Sequence, residues 1–508
     1  MGKNEAFLEL GFIRLNRRKK ESLSLQLYDS LRSAILSGQL ANGFRLPSTR
    51  GLADSLNISR TTVLNAFDQL TAEGYLRGTV GQGTFVCDQL PEEQSLVKYC
   101  RTPEHEPEQL VNSELSLSGQ AASLMNTNPT LIGQREDLIP FRAGVPALDQ
   151  FPIETWARLS RQRWRKMSLE NLSYGVPEGC QPLREAIAEY VKAYRGVHCD
   201  ADQVMIVSGT QQAVDIVARL TIDPKDQVVI ENPGYVRASS VFQFMGAQVI
   251  GVPVDKYGMD VEAAAKLSPQ PKLIYITPSH QFPTGVTMPI ERRTALIQWA
   301  NESGALIFED DYDSEYRYAQ RPIPALQGLD RGCRTVYVGS FSKVVFPSLS
   351  IGYAIVPHNL IEAFKRMLGM VARPVSQPDQ LVLAEFIQQG HFARHLRKMR
   401  TVHEERRTAL VQSVEKYLSD QLEIIGADAG LHAAARLING HHDQVISKRA
   451  NEIGIAVKAI SDFLIKPDRK PTKAERAYIE NQNGLIFGFA CCTPRQISAA
   501  IRKMVSLF

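Results

Sequence analysis

Short apolar runs, rich in β-branched residues and nearly free of polar interruption, recur through the middle of this chain and alternate with stretches of helical periodicity. They read VMIV at 204–207, QVVIE at 227–231, QVIGVPV at 248–254, KLIYIT at 272–277, ALIFED at 305–310, TVYVG at 335–339 and GYAIV at 352–356. A strand apolar at every position is buried on both faces. Such strands, alternating with helices, predict an α/β fold built on a mainly parallel sheet. Ligands of such a sheet bind beyond the carboxyl ends of its strands. After about residue 358 the chain turns long, charged and helical (GHFARHLRKMRTVHEERRTALVQSV), then returns to short strands near 431–437 and 485–490. This predicts a smaller C-terminal α+β lobe.

The first 88 residues follow a different pattern. Leu27, Leu31, Ala34 and Ile35 fall on one helix face, Pro47-Ser48 opens a second short helix, and residues 57–59 turn the chain. Ser59 is placed to cap a third helix whose apolar face is Val63, Phe67 and Leu70. Residues 75–77 and 84–86 then flank the turn 78–83 as two strands of a hairpin, completing a winged helix-turn-helix over 21–88. In that arrangement Arg60, Thr61 and Thr62 open the recognition helix, where an arginine can fork to a guanine or a phosphate and threonines reach phosphate oxygens. Arg50 lies early on the preceding helix, and Gly83 belongs to a wing tip (Gly81-Gln82-Gly83-Thr84) whose glycines permit close approach to a groove. A bare three-helix packing module with solvated arginines would share this outline.

Residues 89–135 are acidic, polar and without apolar periodicity, and they read as a linker to a body spanning 136–508. At 508 residues the chain has room for one small module and one enzyme-sized body. With 44% hydrophobic and 22% charged residues, it is neither disordered nor collagenous. Its 58 Lys and Arg against 54 Asp and Glu leave only +4, so any contact with double-stranded DNA must come from a local patch. Seven scattered cysteines without a CxxC pair suit a reducing cytosol, and no metal site is expected. The N-terminus has no continuous apolar h-region, and the uncharged stretch 344–361 is broken by Pro, Ser, Asn and His. A cytoplasmic protein, without membrane contact, is the expectation.

One constellation in the body carries chemistry. Lys343 follows a buried strand within Ser340-Phe341-Ser342-Lys343, where desolvation would leave its amine nucleophilic and able to form a Schiff base with an aldehyde cofactor. Asp310 ends another strand, as pyridoxal 5'-phosphate requires of a carboxylate that keeps its ring nitrogen protonated. Tyr312, two residues later, suits the cofactor's 3′ oxygen, and the neighbouring acids of EDDYD admit the plain reading of solvated charges. Ser208-Gly209-Thr210 feeds a helix N-terminus that can receive phosphate. Glu231-Asn232-Pro233-Gly234-Tyr235 ends the next strand and brings an aromatic ring able to stack on the pyridine.

Residues 40–86, LANGFRLPSTRGLADSLNISRTTVLNAFDQLTAEGYLRGTVGQGTFV, closely resemble the GntR-type winged helix. The segments LSYGVPEGCQPLREAIAEY, VSGTQQAVDIVARL, ENPGYVRA, TPSHQFPTGVTMP, FEDDYDSEYRY, GSFSKVVFPSLSIGY and GHFARHLRKMR resemble the fold-type I aminotransferases. Together they resemble the MocR/GabR regulators, which join the two. The resemblance implies that Lys343 carries the internal aldimine, Asp310 contacts the pyridinium and Tyr312 the 3′ oxygen. It further implies that Tyr235 stacks on the ring, that Gly209, Thr210 and Ser340 bind phosphate, and that His280 and Gln281 line the site. Arg237 matches an arginine near the effector's carboxylate, and Tyr174 would reach the phosphate of the other subunit of a homodimer. DNA contacts are implied for Arg50, Arg60, Thr61, Thr62 and Gly83.

Two positions depart from the pattern. Seven residues after the lysine, where the family commonly has a phosphate-binding arginine, this chain has Ser350. In GLIFGFACC, Ile486 lies near where aminotransferases often carry a carboxylate-binding arginine, leaving Arg237, Arg373 or Arg436 to supply that charge. The implied function is a DNA-binding transcriptional regulator that senses an amino compound through external aldimine formation. The alternatives are an active aminotransferase with an accessory DNA-binding head and a cofactor-free regulator.

Overall fold

A computed structural model describes residues 13, 15–17, 21–79, 83–91, 118, 140–318, 323–371, 373–466 and 472–508. The chain divides into two compact units, Met1–Leu115 and Ser116–Phe508. The linker expected over 89–135 lies outside the described residues except at 89–91 and 118.

The first unit is three helices and a hairpin. Helix α1 (Leu23–Leu36) buries Leu27, Leu31, Ala34 and Ile35, the face its periodicity predicts. Helix α2 (Thr49–Leu56) starts at Ser48, whose side chain accepts from Gly51 N, and ends at Asn57 in the left-handed region (φ 53°). Ser59 caps α3 (Arg60–Ala72) by accepting from Thr62 N, and Val63, Ala66, Phe67 and Leu70 pack inward. Strands β1 (Leu76–Thr79) and β2 (Gly83–Val86) pair antiparallel with Leu76 opposite Val86. β1 runs two residues into the expected turn, and residues 80–82 of the wing tip lie outside the described residues.

The second unit is built on an eight-stranded sheet. Its strands are β3 (Val204–Val207), β4 (Gln227–Asn232), β5 (Gln248–Asp255), β6 (Gly258–Met259), β7 (Leu273–Ile276), β8 (Leu306–Asp311), β9 (Thr335–Ser340) and β10 (Gly352–Ile355). In space the order is β3-β10-β9-β8-β7-β4-β5-β6. The pairs among β9, β8, β7, β4 and β5 are parallel, while β10 is antiparallel to both β3 and β9. Strands β3 and β7 to β10 are buried almost throughout, as strands covered on both faces must be. Helices α4 (Thr210–Thr221) and α5 (Val236–Phe244) follow β3 and β4 directly, and the charged stretch forms one long helix, α6 (His391–Tyr417). The C-terminal lobe carries a second, antiparallel sheet of β11 (Leu422–Ile425), β12 (Ala433–Leu437), β13 (Lys458–Ala459) and β14 (Gly484–Phe487), in the order β11-β12-β14-β13.

Because β10 runs against its neighbours, its first residue meets the ends of β3 and β9: Gly352 pairs with both Val207 and Ser340. One edge of the sheet therefore gathers the turns after β3, β4, β7, β8 and β9.

Candidate functional site

Lys343 lies three residues beyond β9, half-buried, with Nζ donating to Gly144 O at 2.9 Å. Burial depresses its pKa against the opposing pull of the Asp313 and Asp310 carboxylates, which favours the free amine. Gly144 has a positive φ of 75°, and a Cβ there would stand 2.8 Å from Nζ.

Period-two alternation along β8 and the turn after it sorts the EDDYD acids into different environments. Asp310 accepts from the Tyr275 phenol at 2.6 Å and the Thr210 hydroxyl at 3.4 Å, both neutral donors. With no ion pair among the described residues, burial pushes its pKa up to about 7. The neighbouring acids are not solvated: Glu309, Asp311 and Asp313 are all buried. Glu309 accepts from the backbone N–H groups of Leu326 and Gln327, both at 2.8 Å. Asp311 is ion-paired with Arg195 at 2.7 Å, which holds its pKa down. Asp313 bonds His280 Nδ1 at 3.0 Å and accepts from Leu431 N at 3.1 Å. These three acids knit strands and lobe together, so only Asp310 is left for a ligand.

The Tyr312 hydroxyl donates to His280 O at 3.0 Å and lies 3.1 Å from His280 Nδ1. His280 Nε2 is buried without a partner among the described residues. His432, whose ring lies 4.6 Å from that of His280, has its pKa lowered to about 3 by burial and is neutral. Gln281 is fully engaged: its amide donates to Pro233 O and Phe282 O, and its oxygen accepts from Thr284 N. It shapes the loop rather than presenting a free group. The Tyr235 hydroxyl donates to Gln211 Oε1 at 3.3 Å, and its ring lies 6.3 Å from that of Tyr275 with 20° between planes.

Beside these, Gly209 (φ 144°) stands at the N-cap of α4 with no side chain capping the first turn, and among the described residues nothing crowds the space over the glycine. Such an uncapped N-terminus offers N–H groups and the positive end of the helix dipole to an anion. Ser350, at φ 50°, donates its hydroxyl to Ser208 O at 2.9 Å, so it stands against this turn. Ser340 Oγ accepts from Ser342 N at 3.3 Å. A depressed amine, a buried carboxylate lacking a cation and an uncapped helix end together suit a phosphorylated pyridine aldehyde; Ser350 is the one weak member.

Other expected residues lie apart. Tyr174 is 80% exposed beneath the Arg373 guanidinium, 4.4 Å from its ring centroid, in a cavity of about 300 Å³ also lined by Asn171 and Gln377. Arg436 is exposed and paired with Glu423 across β11 and β12, which removes it from the candidates for a missing charge. Arg237 is an exposed residue of the first turn of α5. Tyr275 and Gly144 were not singled out from the sequence, because Tyr275 sits inside an apolar strand and Gly144 in an irregular loop.

In the first unit, Arg50, Arg60, Thr61 and Gly83 are exposed, and Arg60 Nε lies 3.4 Å from Thr49 Oγ1. The Thr62 hydroxyl is 2.8 Å from Ser59 Oγ and helps close the cap. Arg45, also not singled out, is exposed and packs on the wing: a Cβ at Gly83 would meet its Nε at 3.1 Å, and its guanidinium lies 6.0 Å from the Phe85 ring centroid.

Residues 23–86 match the family model for bacterial regulatory proteins of the gntR family, and residues 136–474 match aminotransferase class I and II. The chain is 37% identical to the probable rhizopine catabolism regulatory protein MocR of Rhizobium meliloti, over 97% of this chain and 95% of that one. It is 30% identical to the pyridoxine biosynthesis transcriptional regulator PdxR of Corynebacterium glutamicum, over 97% and 98% of the two chains. Among solved structures it resembles the α-aminoadipate aminotransferase LysN of Thermus thermophilus, complexed with N-(5'-phosphopyridoxyl)-L-leucine, at 25% identity and a TM-score of 0.66 over 73% of this chain and 92% of that one. No helix among the described residues is long and apolar enough to cross a membrane. A gntR-family head followed by a class I and II aminotransferase body, matched nearly end to end by MocR, makes this chain a member of the MocR-type regulators.

Proposed function

We propose that the chain is a cytoplasmic, DNA-binding transcriptional regulator that holds pyridoxal 5'-phosphate in its aminotransferase-like body and senses an amino compound there. The observation that carries this reading is the Lys343 amine, its pKa depressed by burial, at the sheet edge where Asp310 lacks a cationic partner. When bound, the cofactor supplies an aldehyde carbon and an electron-withdrawing pyridinium.

Lys343 is the residue to hold that carbon, and Asp310 the carboxylate to hold the ring N–H. Tyr312 would hold the 3′ oxygen, with His280 and Asp313 behind it, while Tyr235 would offer a ring face. The α4 N-terminus with Gly209, Thr210 and Ser340 would receive the phosphate. An effector amine would compete with the Lys343 amine for that aldehyde carbon. DNA occupancy responds only if the effector binds one conformation of the protein better than another.

A homodimer is supported by the apolar residues exposed near Tyr174: Leu169 at 86%, Leu172, Val176 and Met370. Two heads would then read two half-sites through Arg45, Arg50, Arg60 and the wing.

Incubation of the full chain with pyridoxal 5'-phosphate and borohydride should label Lys343. Lys343→Ala should lose label and effector response while keeping basal operator binding; a persisting response refutes covalent sensing. Because Lys343, Asp310 and Tyr312 form a set sufficient for the proton transfers of transamination, the same samples should be assayed for keto product. Sustained turnover would favour the enzyme reading.

A further inference from the structure

In the C-terminal sheet, Ile486 of β14 is only 1% exposed and stands directly opposite Lys458 of β13 on one side and Ala434 of β12 on the other. Residues directly opposite each other in an antiparallel pair project to the same face. That face looks into the candidate site: Ala434 and Ile486 pack with Ala143, which lies between Arg142 and the Gly144 whose carbonyl receives Lys343 Nζ.

Phe463 belongs to the same cluster. Its ring meets Phe282, of the loop after β7, edge-on at 4.9 Å, and its carbonyl accepts from Gly234 N at 2.9 Å beside Tyr235. The Lys458 ammonium lies 5.8 Å from the centre of that ring. Among the described residues it has no hydrogen-bond acceptor.

We propose, resting on the sensing function above, that Lys458 is the cation that receives an acidic group of the effector, which is therefore an amino compound bearing a carboxylate. The charge sits one strand over from the apolar Ile486. Burial lowers the pKa of Lys458, and Arg237 and Arg142 lower it further by repulsion, so both guanidiniums are within electrostatic reach; Asp462 alone pulls the other way. Several cations around one amine-capturing lysine favour an anionic ligand over a simple amine.

The experiment titrates the full, pyridoxal 5'-phosphate-loaded chain with L-glutamate and with n-propylamine, followed by visible absorbance, for wild type, Lys458→Met and Lys458→Arg. Lys458→Met removes a buried, repelled charge while keeping volume, so it is expected to fold. L-glutamate should half-saturate wild type at lower concentration than propylamine. Lys458→Met should raise the glutamate midpoint about tenfold and leave that of propylamine unchanged, and Lys458→Arg should restore most of the loss.

Glutarate, which has no amine, provides a readout free of covalent chemistry: it should raise the wild-type melting temperature and not that of Lys458→Met. An unchanged glutamate midpoint in Lys458→Met, or an equal shift for propylamine, overturns the role of Lys458 while leaving covalent sensing intact. Glutarate stabilisation that depends on Lys458, in a chain whose absorbance no amine alters, would uphold the acidic subsite and refute covalent sensing.

Discussion

Ser350→Arg should tighten binding of pyridoxal 5'-phosphate. The serine already sits on the turn proposed to take the phosphate, its hydroxyl 2.9 Å from Ser208 O, and its backbone is in the left-handed region at φ 50°. Arginine meets the same backbone strain as serine, so the substitution changes the side-chain interactions alone. The neutral hydrogen bond it removes is missing from the variant with and without cofactor, so that loss of about 1 kcal/mol falls on folding stability and cancels from Kd. It adds a charge-assisted, potentially bidentate contact to phosphate, worth about 3 kcal/mol before ordering a long side chain subtracts about 1 kcal/mol. The balance is about 2 kcal/mol, or roughly thirtyfold in Kd. Absorbance titration of apo-protein measures it, with pyridoxal, which has no phosphate, as the control. The gain should shrink with added salt because the site is exposed. Equal tightening for pyridoxal, or no change for the phosphorylated form, would refute the assignment of this turn as the phosphate cradle.

Other outcomes follow from the same geometry. Asp310 has a folded pKa of about 7 against an ordinary value near 4, so the folded apo-protein retains a proton that the unfolded chain releases between those values. Its contribution to stability falls as pH rises through that window; Asp310→Asn should flatten part of the decline in apo-protein melting temperature from pH 5 to pH 8 while weakening cofactor binding. An unchanged slope would show that burial does not hold this proton. Gly144→Ala places a methyl group 2.8 Å from Lys343 Nζ at a backbone of φ 75°, and should impair borohydride-trapped labelling by more than tenfold without unfolding the first unit; full labelling would remove this loop from the amine's environment. Arg60→Ala should weaken operator binding by about 1–3 kcal/mol and relax preference at one base pair, as read in an electrophoretic or anisotropy assay across operator variants. Uniform weakening with a shallower salt dependence would reassign Arg60 to phosphate.

Much of this architecture was legible because burial on both faces leaves a direct imprint: VMIV, the VVI of QVVIE and the VYV of TVYVG run without a charged or amide residue. The helix starts were legible too, since Ser48 and Ser59 perform local chemistry that does not depend on distant contacts. Lys343, Asp310 and Gly209 could be picked out because each sits where a strand ends. Sequence could not sort the EDDYD acids, because whether Asp311 is solvated depends on Arg195, 116 residues away. Nor could it find Tyr275, Arg45 or Lys458. Tyr275 looks like core until β8 is laid beside β7, Arg45 is joined to the wing by its bridge to Phe85, and Lys458 acquires meaning only from its register with Ile486.

The reversed strand β10 has a consequence for biogenesis. Ser350 and Gly352 close onto Ser208 and Val207, about 140 residues upstream, and only then do the two ends of the proposed anion cradle meet. A nascent or truncated chain ending before residue 350 would possess the glycine turn, the carboxylate and even the amine, yet not the closed edge that unites them. Acquisition of the yellow chromophore would thus report that the last central strand has zipped into place, making vitamin capture a late checkpoint of maturation rather than an early template for folding.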